Sequence, residues 1–401
     1  MSKPGRHFLH IPGPTNIPER VLRAMDRPVI DHRGPDFAQL TLRLLPRLQK
    51  LFKCSGPVVI YPASGTGAWE AGLVNSLSPG DRVLMADIGH FAALWKDMAD
   101  RLGLVPEFLP SDWRRAADPV AIGERLAADT AHEIKAVCVV HNETSTACAA
   151  RIPEIRKAID DAGHPALFMV DTISSLGSMD YRHDEWKVDV SVGGSQKGMM
   201  LPPGMSFNAI SEKALEASKT ARLPKCYWDW NDMLSTNQNG FFPYTPATNL
   251  LYALDEALNI IDEQGLDNIF ARHARHGEAT RRAAAAWGLE LVCADPREYS
   301  NSLTAIFAPE GHSANALRAE ILDHFNLSLG TGLARLADRV FRIGHLGDLN
   351  DLTLIGAISG VEMGMTVAGV PHDAGGTQAA MDYLATGDES AQAEPQQSAM
   401  A

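Results

Sequence analysis

The feature that most constrains this chain is a recurrence of short apolar runs, at 58–61, 82–86, 135–140, 166–170 and 188–192, separated by segments with helical spacing. Runs of that length are strands, and near-continuous apolarity means burial on both faces, which calls for a mostly parallel sheet covered by helices. Residues 37–52 and 152–162 have helical periodicity, and Ser55-Gly56-Pro57 stops the first of these helices just before the first run. The expected class is therefore α/β. In such sheets ligands bind beyond the carboxyl ends of the strands, so the residues that follow each run carry the functional reading.

The first residues are rich in proline and glycine (Pro4, Pro12, Gly13, Pro14, Pro18), so 1–20 reads as an extended arm of the kind that often packs on a neighbouring subunit. A large domain over 21–265 follows. Helical patterns at 249–263 and 267–287 lead into strands near 289–292, 302–307 and 339–343 and a helix at 314–325, which read as a smaller C-terminal α/β domain over 266–385. The remainder, 386–401, has little to bury and reads as a disordered tail. With 401 residues, 45% of them hydrophobic, the chain has enough core for two domains.

An excess of 49 acidic over 36 basic residues opposes docking on nucleic acid or anionic membranes, while leaving room for a local cationic pocket. No apolar run reaches signal-peptide or membrane-span length. The five cysteines (54, 138, 148, 226, 293) show no metal-ligand spacing and fit reduced thiols in a soluble, cytoplasmic protein. No metal is expected. His273 and His276 lack a third ligand and read as a solvated helix face, and Gly356, Gly360 and Gly364 read as a close helix contact.

Four places carry chemistry. Ser64-Gly65-Thr66-Gly67 lies between a strand and a helix, where free N–H groups and hydroxyls suit an anion; a plain N-cap with a glycine turn fits equally. No Lys-Ser/Thr completes a Walker A loop, and Glu70 stands where a dinucleotide fingerprint needs Gly or Ala. Asp171 ends the run 166–170 and either faces a cation or caps the next turn. Lys197 has no flanking charge to mark an exposed face, and desolvation would favour a neutral, nucleophilic amine. It follows Asp171 by 26 residues, a spacing that suits two successive elements of one sheet. Arg342, inside an apolar stretch, needs a carboxylate, internal or from a ligand.

Together these resemble the class V aminotransferases of pyridoxal-phosphate fold type I. The segments Pro12-Gly13-Pro14-Thr15-Asn16-Ile17-Pro18, Ser64-Gly65-Thr66-Gly67-Ala68-Trp69-Glu70, His141-Asn142-Glu143-Thr144-Ser145-Thr146, Gly194-Ser195-Gln196-Lys197, Tyr244-Thr245-Pro246 and Phe341-Arg342-Ile343-Gly344-His345-Leu346-Gly347 narrow the likeness to the serine-glyoxylate branch of the alanine-glyoxylate group.

The resemblance implies pyridoxal 5'-phosphate held by Lys197 as a Schiff base, with Asp171 on the ring nitrogen, Ser64, Gly65, Thr66 and Gln196 at the phosphate and Thr144 beside the ring. It places Arg342 on the substrate carboxylate and Phe91 where relatives stack an aromatic, often Trp. It implies a homodimer in which Thr245 reaches the phosphate of the other subunit. Phe242 stands where relatives have a phosphate-binding Tyr, for which Tyr244 is the available substitute. His32 and Arg33 are expected to line the pocket from the second subunit and to favour the serine hydroxyl. The implied reaction is ping-pong: L-serine yields hydroxypyruvate, then glyoxylate yields glycine. An alanine-glyoxylate or other small-amino-acid transaminase is the alternative within the class. A desulfurase would need a loop cysteine that is not evident, and a nucleotide-dependent oxidoreductase would leave Lys197 without a role.

Overall fold

A computed structural model describes residues 5–387; the last fourteen residues of the expected tail lie outside them, while Thr386 closes a helix, Gly376–Thr386. The strands are β1 (Phe8–His10), β2 (Val58–Tyr61), β3 (Arg82–Ala86), β4 (Val105–Leu109), β5 (Ile134–Val140), β6 (Asn142–Glu143), β7 (Cys148–Ala149), β8 (Leu167–Asp171), β9 (Val190–Gly194), β10 (Ser206–Ile210), β11 (Leu303–Phe307), β12 (Leu327–Thr331) and β13 (Val340–Gly344). Seven of them form one sheet in the order β2-β10-β9-β8-β5-β3-β4. All run the same way except β10, which is antiparallel to both of its neighbours.

The five apolar runs became β2, β3, β5, β8 and β9. Helices such as Pro35–Phe52, Gly65–Ser76 and Ile152–Asp161 bury apolar stripes against them, including Leu44, Leu48, Trp69, Ile155 and Ile159. Two strands lacked the expected signature. β4 contains Pro106 and is only part-buried; as an edge strand it tolerates the missing N–H. β10, fully buried, mixes Ser206 and Asn208 into its run, and Asn208 donates to Ala68 O at 3.1 Å.

The C-terminal elements build a second sheet, β1-β12-β13-β11, with its own apolar cluster around Trp287, Ile321, Phe341 and Ile358. β1 comes from the expected arm and pairs in parallel with β12 of the same chain. The arm is thus partly consumed by its own fold. No strand forms at 289–292; a single bridge, Leu291 to Ile306, is all that develops before the turn at Asp295-Pro296. His273 and His276 are buried rather than solvated: His273 accepts the Gly347 N–H at 3.0 Å and His276 meets Asp351 at 3.0 Å. Gly356, Gly360 and Gly364 do serve close packing, since a Cβ on them would lie 2.9, 2.8 and 2.1 Å from Phe8, Leu327 and Ile321. Among the described residues no helix is long and apolar enough to cross a membrane.

Candidate active site

Because β2, β3, β5, β8 and β9 run in one direction, the segments leaving their carboxyl ends meet along one edge of the sheet. Those segments carry Ser64 to Thr66, Phe91, Thr144, Asp171, and Gln196 with Lys197.

Lys197 is buried, and its amine donates to Pro12 O. The arm holds it closely: Thr15 Oγ1 donates to Lys197 O at 3.0 Å and Thr15 N–H to Gln196 O at 3.1 Å. A Cβ on Gly13, whose φ is +97°, would stand 2.3 Å from Lys197 Cδ, so only glycine fits there. Burial first and the Arg342 charge second bring the Lys197 amine down to about 8, against the opposite pull of Asp171 and Glu143. A substantial neutral fraction therefore exists near physiological pH, as a nucleophilic amine requires.

Asp171 is equally buried. Its Oδ1 accepts the Ile173 N–H at 2.6 Å and its Oδ2 the Trp69 indole N–H at 3.1 Å. Burial pushes its carboxyl up to about 7, opposed chiefly by the Ile173 N–H. A carboxyl so desolvated is prepared for a cation, which would bring it back to the ionised form. Trp69 had no assigned role in the sequence reading. A usable signal was present, because it lies four residues after Gly65 and so shares the helix face that looks over the sheet edge.

Ser64 precedes the helix Gly65–Ser76, and its side chain makes no cap hydrogen bond, which leaves first-turn N–H groups and the hydroxyl to a ligand. Gly65 sits on Ile173, whose Cδ1 would be 2.2 Å from a Cβ there; Gly194 sits on the same residue and beside Gln196 Oε1. The turn, Gln196 and the Asp171 loop are thereby joined. Two buried polar atoms here have no partner among the described residues, Gln196 Oε1 and the Tyr244 hydroxyl. Tyr244 stacks on Tyr227 at 4.0 Å, Tyr227 meets Trp228 edge-on, and Trp228 lies 2.9 Å from where a Gly67 Cβ would be.

Arg342 donates to Thr144 O at 2.6 Å and to Thr331 O at 2.8 Å. Among the described residues no carboxylate pairs with it, so the internal ion pair left open by the sequence does not form. Burial lowers its guanidinium to about 10, while Glu143 acts in the opposite sense. The cation persists at neutral pH, held by carbonyls of the described residues.

Thr245, His32 and Arg33 are the residues expected to act from a second subunit. Thr245 and Arg33 are exposed; Phe242 packs edge-on against Phe37 at 6.0 Å, and His32 Nε2 is buried without a partner among the described residues. Among the described residues, no hydrogen bond or ion pair joins these three to Lys197, Asp171 or Arg342.

The sequence model of the family described as aminotransferase class-V matches residues 7–336. The chain belongs to that family. A serine-glyoxylate aminotransferase of Methylorubrum extorquens is 50% identical over 95% of this chain and 97% of its own length. An L-aspartate-glyoxylate aminotransferase of Paracoccus denitrificans is 44% identical over 94% of this chain and 95% of its own. The crystal structure of a ureidoglycine-glyoxylate aminotransferase from Bacillus subtilis superimposes with a TM-score of 0.89 at 27% identity, covering 96% of this chain and 99% of that one.

Class V aminotransferases work with pyridoxal 5'-phosphate, and the residues present fit it. The helix N-terminus, Gln196 and the orphaned Tyr244 hydroxyl suit a phosphate, Asp171 suits a protonated ring nitrogen, and Lys197 offers an amine of suitable basicity. The oxidoreductase alternative, which left Lys197 idle, is set aside by the family match.

Proposed function

We propose that this aminotransferase moves the amino group of L-serine to glyoxylate, giving hydroxypyruvate and glycine, in a cytoplasmic homodimer. The observation that carries the reading is Arg342, a buried guanidinium with carbonyl partners and, among the described residues, no carboxylate partner, electrostatically coupled to Lys197. It calls for a carboxylate, and both the amino-acid donor and the 2-oxo-acid acceptor bring one. The choice of serine rests on likeness to relatives of that name, among them the Methylorubrum enzyme.

Pyridoxal phosphate, when bound, supplies a reactive aldehyde and an electron-withdrawing ring through which the amino group is exchanged. Asp171, held by Trp69 and Ile173, would keep the ring nitrogen protonated, and Ser64, Gly65, Thr66 and Gln196 would fix the phosphate, with Phe91 and Thr144 beside the ring. Arg342 would orient the substrate so that its α-carbon faces Lys197, whose amine takes and returns the α-proton. Burial of the Lys197 amine keeps competing water away from that transfer.

The resemblance of the sequence motifs supports a site completed by Thr245, His32 and Arg33 of a second subunit. A native mass near twice the 43.4 kDa chain is expected in sedimentation. An aspartate donor is the second reading, favoured by the Paracoccus relative. Initial rates of glycine formation from glyoxylate with L-serine, L-alanine and L-aspartate decide among donors: serine should show the highest kcat/KM, and a higher value for either other donor would displace it. The same assay on Arg33→Ala should show a weakened preference for serine over alanine.

A further inference from the structure

Glu143 is a carboxylate with no solvent exposure at all, and the transaminase reading gives it no task. It ends β6 and leads a tight turn in which Thr146 and Ala147 N–H groups return to Glu143 O at 3.3 and 2.9 Å. Its side chain reaches over to the helix His90–Arg101, which follows β3. Oε2 accepts the Ala92 N–H at 3.0 Å, and Oε1 accepts the Phe91 N–H at 3.4 Å and both the N–H and the hydroxyl of Ser145, at 2.9 and 2.7 Å. The Ser145 hydroxyl oxygen in turn accepts the His90 N–H at 2.9 Å.

Three first-turn N–H groups of that helix are thus satisfied from a distant hairpin, in place of a local N-cap side chain. The residue at the cap is Gly89, and the approach explains why: a Cβ there would lie 2.3 and 2.5 Å from Glu143 Cγ and Cδ, and 2.5 Å from Ser145 Oγ. Between Glu143 and Ser145 sits Thr144, whose carbonyl takes the Arg342 guanidinium at 2.6 Å. One carboxylate therefore ties together the segment that presents Phe91 and the segment that anchors Arg342.

Resting on the transaminase reading above, we propose that Glu143 is a positioning residue: it locks the Phe91 turn and the Thr144 carbonyl into one unit and provides a fixed negative charge opposite Lys197 and Arg342. The charged groups acting on Lys197 are Arg342 from β13, Asp171 from β8 and Glu143 from β6. Glu143 favours the protonated forms of Lys197, Arg342 and Asp171 alike, as a buried anion at this place should.

The test compares holoenzyme variants by two readouts: the pH midpoint of the visible absorbance of the Lys197-linked cofactor, and kcat and KM for the donor. Glu143→Gln removes the charge and should lower the midpoint by about half a pH unit or more, with about a tenfold loss of kcat/KM. Glu143→Asp keeps the charge but retracts it from Ala92 and Phe91, so kcat/KM should fall while the midpoint stays. Gly89→Ala, which displaces the same carboxylate without altering charge, should behave like Glu143→Asp and serves if the Gln variant does not fold. A wild-type midpoint in folded Glu143→Gln, or activity in all three lost only in proportion to folded protein, overturns the proposal. A wild-type holoenzyme unable to transfer amino groups would sink the transaminase reading instead, and the midpoints would still judge Glu143.

Discussion

The electrostatic opposition of Lys197 and Arg342 makes a quantitative prediction about cofactor capture. After burial, Arg342 is the larger influence holding the Lys197 amine near 8, and among the described residues no carboxylate hydrogen-bonds or ion-pairs with it. At pH 7 such an amine is about one-tenth neutral, and only the neutral form attacks an aldehyde. Two unit charges ~10 Å apart at an effective dielectric of ~20 interact by about 1.7 kcal/mol, slightly more than one pH unit. Arg342→Met should therefore raise the lysine pKa by about one unit and cut its neutral fraction at pH 7 to about one-hundredth. Mixing stripped protein with pyridoxal phosphate and following absorbance should show capture about tenfold slower than wild type at pH 7, with the two rates converging by about pH 10. Arg342→Lys retains the charge and controls for the lost contacts to Thr144 O and Thr331 O; it should capture at close to the wild-type rate. Equal or faster capture by Arg342→Met at pH 7, or equal slowing in both variants, refutes the coupling.

Other expectations follow from the same contacts. Asp171 has its native carboxyl raised to about 7, so in stripped protein the stability it contributes is fully present below about pH 4 and is lost as pH rises through 7. Asp171→Asn should lack that fall, worth about 4 kcal/mol for a displacement of about three units, and parallel melting profiles of variant and wild type from pH 4 to 8 would contradict this. The same variant should lose about two to four orders of magnitude in kcat. Gly13→Ala drives a Cβ into Lys197 Cδ at a positive φ, and its holoenzyme should lose at least about a hundredfold in kcat with an unchanged far-UV spectrum. Tyr244→Phe removes a hydroxyl that lacks a partner among the described residues; stripped protein should melt at the wild-type temperature or slightly above, while cofactor binding weakens by about two- to tenfold. Unchanged affinity would release Tyr244 from the phosphate site.

The sheet was legible because its inner strands are buried on both faces, so runs such as 135–140 and 166–170 needed no periodicity to betray them. β4 and β10 were not, for opposite reasons: Pro106 and partial exposure disguise an edge strand, while Ser206 and Asn208 interrupt an inner one, where the Asn208 amide nitrogen reaches Ala68 O but Ser206 Oγ and Asn208 Oδ1 are buried with no partner among the described residues. Strand ends pointed to Asp171 and Lys197, since the reading followed from topology. Arg342 stood out as a charge in an apolar run, yet its partners, Thr144 O and Thr331 O, come from segments that only the fold brings to it.

What escaped the sequence was which polar groups meet across non-adjacent segments. Trp69 and Asp171 are 102 residues apart, and Glu143 and Ala92 are 51 apart, distances along the chain that no helical or strand period spans. The missed signal was of another kind. A glutamate between the apolar run 135–140 and the small residues Ala147 to Ala150 is a charge where burial is expected, and a buried carboxylate obliges the fold to bring it donors. Helix N-termini are the richest source of such donors in an α/β protein, and the glycine before a helix that starts with no Ser, Thr, Asp or Asn is where one is left wanting. Gly89 before His90 is such a site. A charge without a partner and a helix start without a cap, each unremarkable alone, together identify the contact that joins the Phe91 and Thr144 segments of the candidate active site.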